Sequence, residues 1–332
     1  MKRVAVIGDG GWGTALGLTL LRAGHRVRIW SSFPAYAERV RAARENVDYL
    51  PGVALPAELE FTCDRATAAA DAEVVVLAVP TRYFRGVVES FASLIPREAQ
   101  AVSVAKGLDP VTRQRMTEVA EAALGRPCVA ALSGPSFASE VAVGAPTAVT
   151  IAARDRGLAE SLQAVFTTRR FRAYTSDDVV GVELGGTLKN VVAVGVGVSD
   201  GLGLGRNARA ALITRGLAEI TRLGVALGAH PATFAGLSGM GDLVLTCTSR
   251  LSRNYTVGER IGRGEAIGDI LGSMKQVAEG VSNAATVREL ARSRGVSVPV
   301  TDEVHAVVNE GKDPRAAVEA LLTRDPRPER DG

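Results

Sequence analysis

One lysine stands out by its company. Lys189 lies in Gly181-Val182-Glu183-Leu184-Gly185-Gly186-Thr187-Leu188-Lys189-Asn190-Val191-Val192-Ala193-Val194, small or apolar residues among which it is the only cation. Burial disfavours an ammonium ion, and a nearby carboxylate restores it. A lysine balanced in this way passes a proton to and from an alcohol or carbonyl oxygen. The plainer alternative is a lysine whose stem lies on the surface with its head in water. Composition weighs against that alternative. Only five of the 39 basic residues are lysine (Lys2, Lys106, Lys189, Lys275, Lys312), and 34 are arginine. The chain uses arginine for plain positive charge, yet in an apolar segment it keeps the residue that can give up its proton. The Gly185-Gly186 pair weakens a helix and lets a cofactor or another helix approach its backbone.

A second candidate is Gly8-Asp9-Gly10-Gly11-Trp12-Gly13, a GxGxxG pattern. The pattern alone is weak, but here it follows a strand and opens a helix, the context that gives it meaning. Gly8 allows the tight turn, Gly10 lets the backbone approach a pyrophosphate, and Gly13 lets helix and strand pack closely. The free N–H groups at the helix start attract the phosphates. A ribose 2′-hydroxyl is commonly read by an acid at the end of the second strand. Here that strand ends Trp30-Ser31-Ser32-Phe33, with neither an acid nor a cation. Serine hydroxyls serve NAD or NADP, so the preference stays open.

Two polar segments complete the chemistry. Gly236–Leu243 reads as a Gly-rich loop with one acid, Asp242, and Thr246–Asn254 as a second loop rich in Ser, Thr, Arg and Asn donors. Such donors suit a phosphate or carboxylate, though a polar surface loop looks the same. Lys106-Gly107 and Ser133-Gly134-Pro135-Ser136 each close a strand at its carboxyl end, where α/β sheets bind ligands. His25, His230 and His305 are isolated and read as loop or surface residues.

The elements that position these residues fall into two textures. Strands are expected at Arg3–Ile7, Arg26–Trp30, Val74–Val79, Ala101–Ala105 and Cys128–Leu132, with Ala148–Ala152 and Phe171–Tyr174 extending the sheet. Helical stretches lie between them, including Trp12–Gly24 and Pro34–Arg44. The alternation predicts an α/β, Rossmann-type doubly wound sheet over residues 1–178. Residues 179–332 read as an all-α domain, with helices over Val179–Ser199, Ala208–Leu227, Val257–Gly262, Val281–Arg294 and Pro314–Leu322. The tail Arg324–Gly332 reads as frayed.

The 332 residues are 46% hydrophobic and 23% charged, with a net charge of +3. That composition excludes disorder and, with no basic run, gives no case for nucleic acid. Cys63, Cys128 and Cys247 form no CxxC pair, so neither a disulfide framework nor a zinc site is indicated. No stretch reaches 18 uncharged apolar residues, and the closest, Val191 to Ser199, between Lys189 and Asp200, is too short for a membrane span. No targeting signal is read, so the expected place is the cytoplasm.

Taken together, the start GxGxWGTAL, Asn46-Val47-Asp48-Tyr49-Leu50-Pro51, Ala105-Lys106-Gly107, Ser133-Gly134-Pro135, Gly185–Asn190, Ala211–Gly216, Gly241-Asp242-Leu243 and Ser252-Arg253-Asn254 resemble bacterial NAD(P)-dependent glycerol-3-phosphate dehydrogenase. The similarity runs in order to about residue 322. It implies reversible hydride transfer between NAD(P)H and dihydroxyacetone phosphate, giving sn-glycerol 3-phosphate for glycerophospholipid synthesis. It also implies a second domain like the C-terminal domain of 6-phosphogluconate dehydrogenase, and a homodimer. By resemblance Lys189 is the proton donor and acceptor, with Lys106 and Asp242 as further catalytic residues. Gly8, Gly10, Gly11, Trp12, Gly13, Ser32, Phe33, Tyr49, Lys106, Ala138, Arg253, Val277 and Glu279 match cofactor contacts. Lys106, Gly134, Ser136, Lys189, Asn190, Asp242, Thr246, Ser252, Arg253 and Asn254 match substrate contacts. No metal is implied. Two positions depart from the pattern: Gly11 where many members have Ser, and Ser32-Phe33 where many have His or Arg. The rival readings are a hydroxyacid dehydrogenase of the 6-phosphogluconate type and an NAD(H)-sensing module.

Overall fold

The computed structural model describes residues 1–127, 129–274, 277–326 and 328–329. The chain divides into two compact units, Met1–Glu183 and Leu184–Gly332.

The first unit is built on ten strands: β1 (Arg3–Ile7), β2 (Arg26–Trp30), β3 (Glu45–Asn46), β4 (Leu50–Ala54), β5 (Glu60–Thr62), β6 (Val74–Leu77), β7 (Gln100–Ser103), β8 (Val129–Ser133), β9 (Thr147–Ala152) and β10 (Phe171–Ser176). Eight of them form one sheet in the order β10-β9-β8-β7-β6-β1-β2-β5. Six strands, from β5 through β8, are parallel; β9 pairs antiparallel to β8, and β10 runs parallel to β9. The central strands are continuous β-branched and aliphatic runs because helices cover both faces. Val4–Ile7 and Val74–Leu77 are wholly buried. The helices are α1 (Gly11–Arg22), α2 (Pro34–Ala43), α3 (Arg65–Ala69), α4 (Thr81–Phe91), α5 (Met116–Leu124), α6 (Ala138–Ala142) and α7 (Arg156–Phe166). Strand order reverses at β1, which lies between β2 and β6. Its carboxyl end is therefore the switch point where such sheets bind ligands.

Every expected strand is present, although Cys128 lies outside the described residues and β8 begins at Val129. Three strands went unread. β3 and β4 form a short hairpin with a register shift, and β5 is a three-residue edge. β3 and β5 are too short to show alternation, and β4 (LPGVA) carries a proline and a glycine that read as a turn.

The second unit is helical in its described residues. Helix α8 (Val179–Gly201) crosses the division between the units; α9 (Gly205–Ala226), α10 (Pro231–Phe234), α11 (Asp242–Cys247), α12 (Arg253–Gly262), α13 (Ile267–Gly272), α14 (Glu279–Ser293), α15 (Pro299–Glu310) and α16 (Pro314–Leu322) follow. By length and hydropathy α8 would pass for a membrane span, but 89% of its most apolar window is buried within the protein. Helices α8 and α12 meet through glycines. A Cβ at Gly197 or Gly201 would overlap the backbone of α12, and one at Gly258 or Gly262 the backbone of α8. The backbones come closer than ordinary side chains allow, since typical helix axes stay 8–10 Å apart.

Helix α15, unread in the sequence, has no side-chain cap from its own N-cap Val298. Its cap comes from α9: the Glu219 carboxylate accepts from Val300 N at 2.8 Å, Thr301 N at 2.9 Å and Thr301 Oγ1 at 2.5 Å. Within the first unit Glu183 does the same for α5, accepting from Thr117 N at 2.9 Å, Thr117 Oγ1 at 2.5 Å and Arg115 Nη1 at 2.8 Å. Each acid supplies the acceptor that a helix start needs, and burial pushes both carboxyls above their ordinary range.

Candidate active site

The glycine turn joins β1 to α1. Gly8 has φ +118°, which side-chain-bearing residues rarely adopt, and a Cβ there would lie 2.5 Å from the Ala78 carbonyl oxygen. A Cβ at Gly13 would overlap the Gly8 carbonyl oxygen. At Gly10 a Cβ would meet nothing within 4 Å. The turn is thus closed on its protein side and open at Gly10. The N-cap Gly10 offers no side chain and the first turn of α1 carries no acid, so its N–H groups and positive end face an anion unopposed. The Trp12 indole N–H is buried without a partner. These features fit a dinucleotide.

What holds the turn is Asn46, buried in the β3–β4 hairpin. Its Nδ2 donates to the Asp9 carbonyl oxygen and to Thr14 Oγ1, both at 2.7 Å. Its Oδ1 accepts from Tyr36 Oη, and from Tyr49 N at 3.2 Å. The hairpin lies so close that a Cβ at Gly11 would overlap the Tyr49 carbonyl oxygen, with the Ala138 Cβ 3.8 Å away. Gly11, Tyr49 and Ala138 therefore meet. Nothing local marks Asn46 for this role, since the groups it holds, the Asp9 carbonyl and Thr14, belong to another part of the chain.

Lys106 and Gly134 lie beyond the carboxyl ends of β7 and β8. Lys106 Nζ donates to the Gly134 carbonyl oxygen at 3.2 Å, and Ser136 Oγ donates to the same atom at 2.8 Å. Gly134 turns at φ +141°, where an added Cβ would lie 3.0 Å from Val149 Cα. Ser32 and Phe33 are exposed at the end of β2.

In the second unit Lys189 does not reach into solvent. It is 5% exposed and Asp242 is 1% exposed. Lys189 Nζ lies 2.5 Å from Asp242 Oδ1 and donates to Thr246 Oγ1 at 2.7 Å. Thr246 Oγ1 in turn donates to the Asp242 carbonyl oxygen at 2.6 Å. The hydroxyl is thereby fixed as an acceptor toward the amine, and carboxylate and hydroxyl together favour the ammonium form. Gly185 serves this cluster: a Cβ there would overlap the Ser238 carbonyl oxygen, in the turn just before Asp242.

Beside the lysine, Asn254 Nδ2 donates to Asn190 Oδ1 at 2.9 Å, and Asn254 Oδ1 accepts from Gly280 N at 2.8 Å. Ser252 caps α12 by accepting from Tyr255 N at 3.2 Å. Arg253 Nη1 donates to the Val277 carbonyl oxygen at 2.8 Å, and burial pulls its guanidinium below the ordinary range against the opposing Glu279 charge. The second unit thus gathers Lys189, Asp242 and Thr246 in one cluster, Asn190 and Asn254 in another, and Arg253, Val277 and Glu279 in a third.

The two expected loops are largely helical. Leu237–Gly241 forms a π-helical turn running into α11, so Asp242 and Thr246 share a helix face one turn apart. Ser252, Arg253 and Asn254 form the N-cap and first turn of α12. Glycine and serine content marked these segments as loops, yet both residue types also serve helix starts and tight packing. His305 is likewise helical, on α15, with Nε2 3.2 Å from Glu310 Oε1.

Comparison with known proteins follows the same division. The family model for the NAD-dependent glycerol-3-phosphate dehydrogenase N-terminus matches residues 3–159, and the one for its C-terminus matches residues 178–319. The glycerol-3-phosphate dehydrogenase [NAD(P)+] of Geobacter sulfurreducens is 49% identical over 99% of each chain. That of Streptomyces coelicolor is 48% identical over 99% of this chain and 98% of its own. The crystal structure of glycerol-3-phosphate dehydrogenase from Coxiella burnetii matches with a TM-score of 0.94 at 39% identity, over 97% of this chain and 99% of that one. The chain belongs to the NAD-dependent glycerol-3-phosphate dehydrogenase family.

Proposed function

We propose that the chain reduces dihydroxyacetone phosphate to sn-glycerol 3-phosphate reversibly, with the roles divided between its two units. The observation that carries this reading is the buried Lys189–Asp242–Thr246 cluster. Bound NAD(P)H supplies the hydride. Gly8, Gly10, Gly11, Trp12 and Gly13 hold its pyrophosphate at the start of α1, beside Tyr49 and Ala138, while Ser32 and Phe33 serve its adenosine end.

Lys189 as an ammonium ion donates to the C2 carbonyl oxygen, stabilises the charge that develops there and protonates it. In the reverse direction the neutral amine takes the proton back. Asp242 and Thr246 fix the amine's position, and Asp242 keeps it charged. Arg253, with Ser252 and Asn254, binds the substrate phosphate, with Arg253 also meeting the cofactor beside Val277 and Glu279. That grip on a non-reacting group holds the carbonyl carbon for attack. Asn190 orients the substrate, and Lys106, with Gly134 and Ser136, binds its hydroxyl end. The product feeds glycerophospholipid synthesis, the enzyme works in the cytoplasm and it assembles as a homodimer. Initial rates with dihydroxyacetone phosphate and NADH test the reading. No turnover above that of the Lys189→Ala variant would overturn it.

A further inference from the structure

The sequence shows no acid where β2 ends, and the structure brings one there from the glycine turn. Asp9, between Gly8 and Gly10, is only 7% exposed. The turn lies against the end of β2, where Gly8 N donates to the Trp30 carbonyl oxygen at 3.1 Å, and Ser31, the first residue past β2, is fully buried. Asp9 Oδ2 is buried with no hydrogen-bond partner. A carboxylate oxygen in that state is rare in folded proteins, because acceptors removed from water find donors. Burial accordingly pushes the Asp9 carboxyl above its ordinary range. Asn46 holds the Asp9 main chain at 2.7 Å, so the side chain has a fixed origin.

In dinucleotide folds the end of β2 is where the adenosine ribose is read. We propose that Asp9 is the ribose-reading residue of this chain and that it selects NAD(H) over NADP(H). Its free oxygen accepts from a 2′-hydroxyl, and the same charge opposes a 2′-phosphate. The opposing cations include Arg41 on α2, which lines one pocket beside β5 with Arg28 and Arg44. Arg41 is exposed and already lies 4.0 Å from Glu38. The buried acid, rather than the solvated cation, sets the preference, because screening by water is weakest for buried charge. The proposal rests on the glycine turn holding the dinucleotide.

Calorimetric titration of the full chain with NADH and with NADPH tests it, using the wild type, Asp9→Asn and Asp9→Ala. The wild type is expected to bind NADH about 100-fold more tightly, the scale of discrimination that an unfavourable contact with the wrong ligand achieves. Asp9→Asn keeps the size while removing the charge, and should tighten NADPH about 10-fold while leaving NADH within several-fold. Asp9→Ala, which also removes the acceptor, should weaken NADH about 10-fold. Rates with dihydroxyacetone phosphate should follow the same ratios with its KM unmoved, a pattern that general loosening of the fold would not give. A wild type preferring NADPH, or variants whose NADH-to-NADPH ratio stays within two-fold of wild type, overturns the role of Asp9 and leaves the glycine turn as the cofactor site. A wild type that binds neither nucleotide overturns the cofactor reading itself.

Discussion

The glycine turn and the lysine cluster are built by opposite means. The turn depends on side chains that are missing: Gly8, Gly11 and Gly13 each bring backbone where a Cβ would collide, and Gly10 faces open space. The cluster depends on side chains that are present, brought from α8 and α11. The turn is written in one contiguous stretch, and it tolerates no added methyl at Gly8, Gly11 or Gly13 without movement. The cluster is assembled from residues far apart in sequence, and its chemistry is concentrated in one amine. A substitution in the first should therefore damage cofactor binding, and one in the second should damage turnover.

The largest effect expected is at Lys189. Lys189→Ala should lower kcat by ~10²–10⁴, the usual contribution of a positioned acid–base group. NADH affinity by calorimetry should stay within two-fold. A parallel loss of NADH binding would break the separation, and near-wild-type turnover would remove Lys189 from the chemistry. Next in size is Arg253→Ala, which should raise KM for dihydroxyacetone phosphate about 10- to 100-fold. That is the range of a hydrogen bond to a charged group, about 1.5–3 kcal/mol. An unchanged KM would contradict the phosphate role.

A matched pair of alanines sharpens the contrast. At Gly13 the new methyl meets the Gly8 carbonyl oxygen, and at Gly185 it meets the Ser238 carbonyl oxygen. Both obstacles are backbone, so each substitution costs about 1–3 kcal/mol in forced movement. Gly13→Ala should weaken NADH roughly 10-fold while kcat at saturating cofactor persists, whereas Gly185→Ala should shift Asp242 and lower kcat with NADH binding intact. Equal effects of the two on both readouts would show that the sites are not separable.

The same contrast explains what the sequence revealed. The parallel sheet was legible because β1, β6 and β8 are uninterrupted apolar runs bounded by turn residues. The glycine turn was legible because its spacing is local. Lys189 was legible by its apolar neighbours, in a chain that otherwise prefers arginine. The role of Asn46 was not, because its partners Asp9 and Thr14 belong to another element. Helix α15 was missed for a related reason: its cap, Glu219, lies 81 residues before Val300. The Gly185-Gly186 pair of α8 reads as an approach for a cofactor or another helix, whereas Gly197 and Gly201 carry no such reading. At Gly185 the visitor is the π-helical turn, at Gly197 and Gly201 it is α12. Composition announces that something comes close, and only tertiary pairing says what.

The smallest effect expected is chemical labelling of two thiols, and it separates the regions without any substitution. Cys247 on α11 is fully buried, and burial pushes its thiol up to about 12 from 9.0, with the Lys189 charge pulling the other way. A folded value above the unfolded one means that folding disfavours the thiolate. Stability is thus lost as pH rises past 9, because the unfolded thiol ionises there while the native one stays protonated. Alkylation of Cys247 should proceed only through opening of the second unit, and should accelerate with denaturant. Cys63 is partly exposed at the end of β2, where its carbonyl oxygen accepts from Trp30 Nε1 at 3.1 Å; burial raises its thiol too, but its exposure should make it react before Cys247. Saturating NADH should slow Cys63 several-fold by covering it, while Cys247 is slowed only as far as NADH stabilises the whole chain. Peptide mass spectrometry over a time course reads both rates. Cys247 reacting as fast in the native protein as in denaturant would mean that the lysine cluster is not the closed, desolvated site described above.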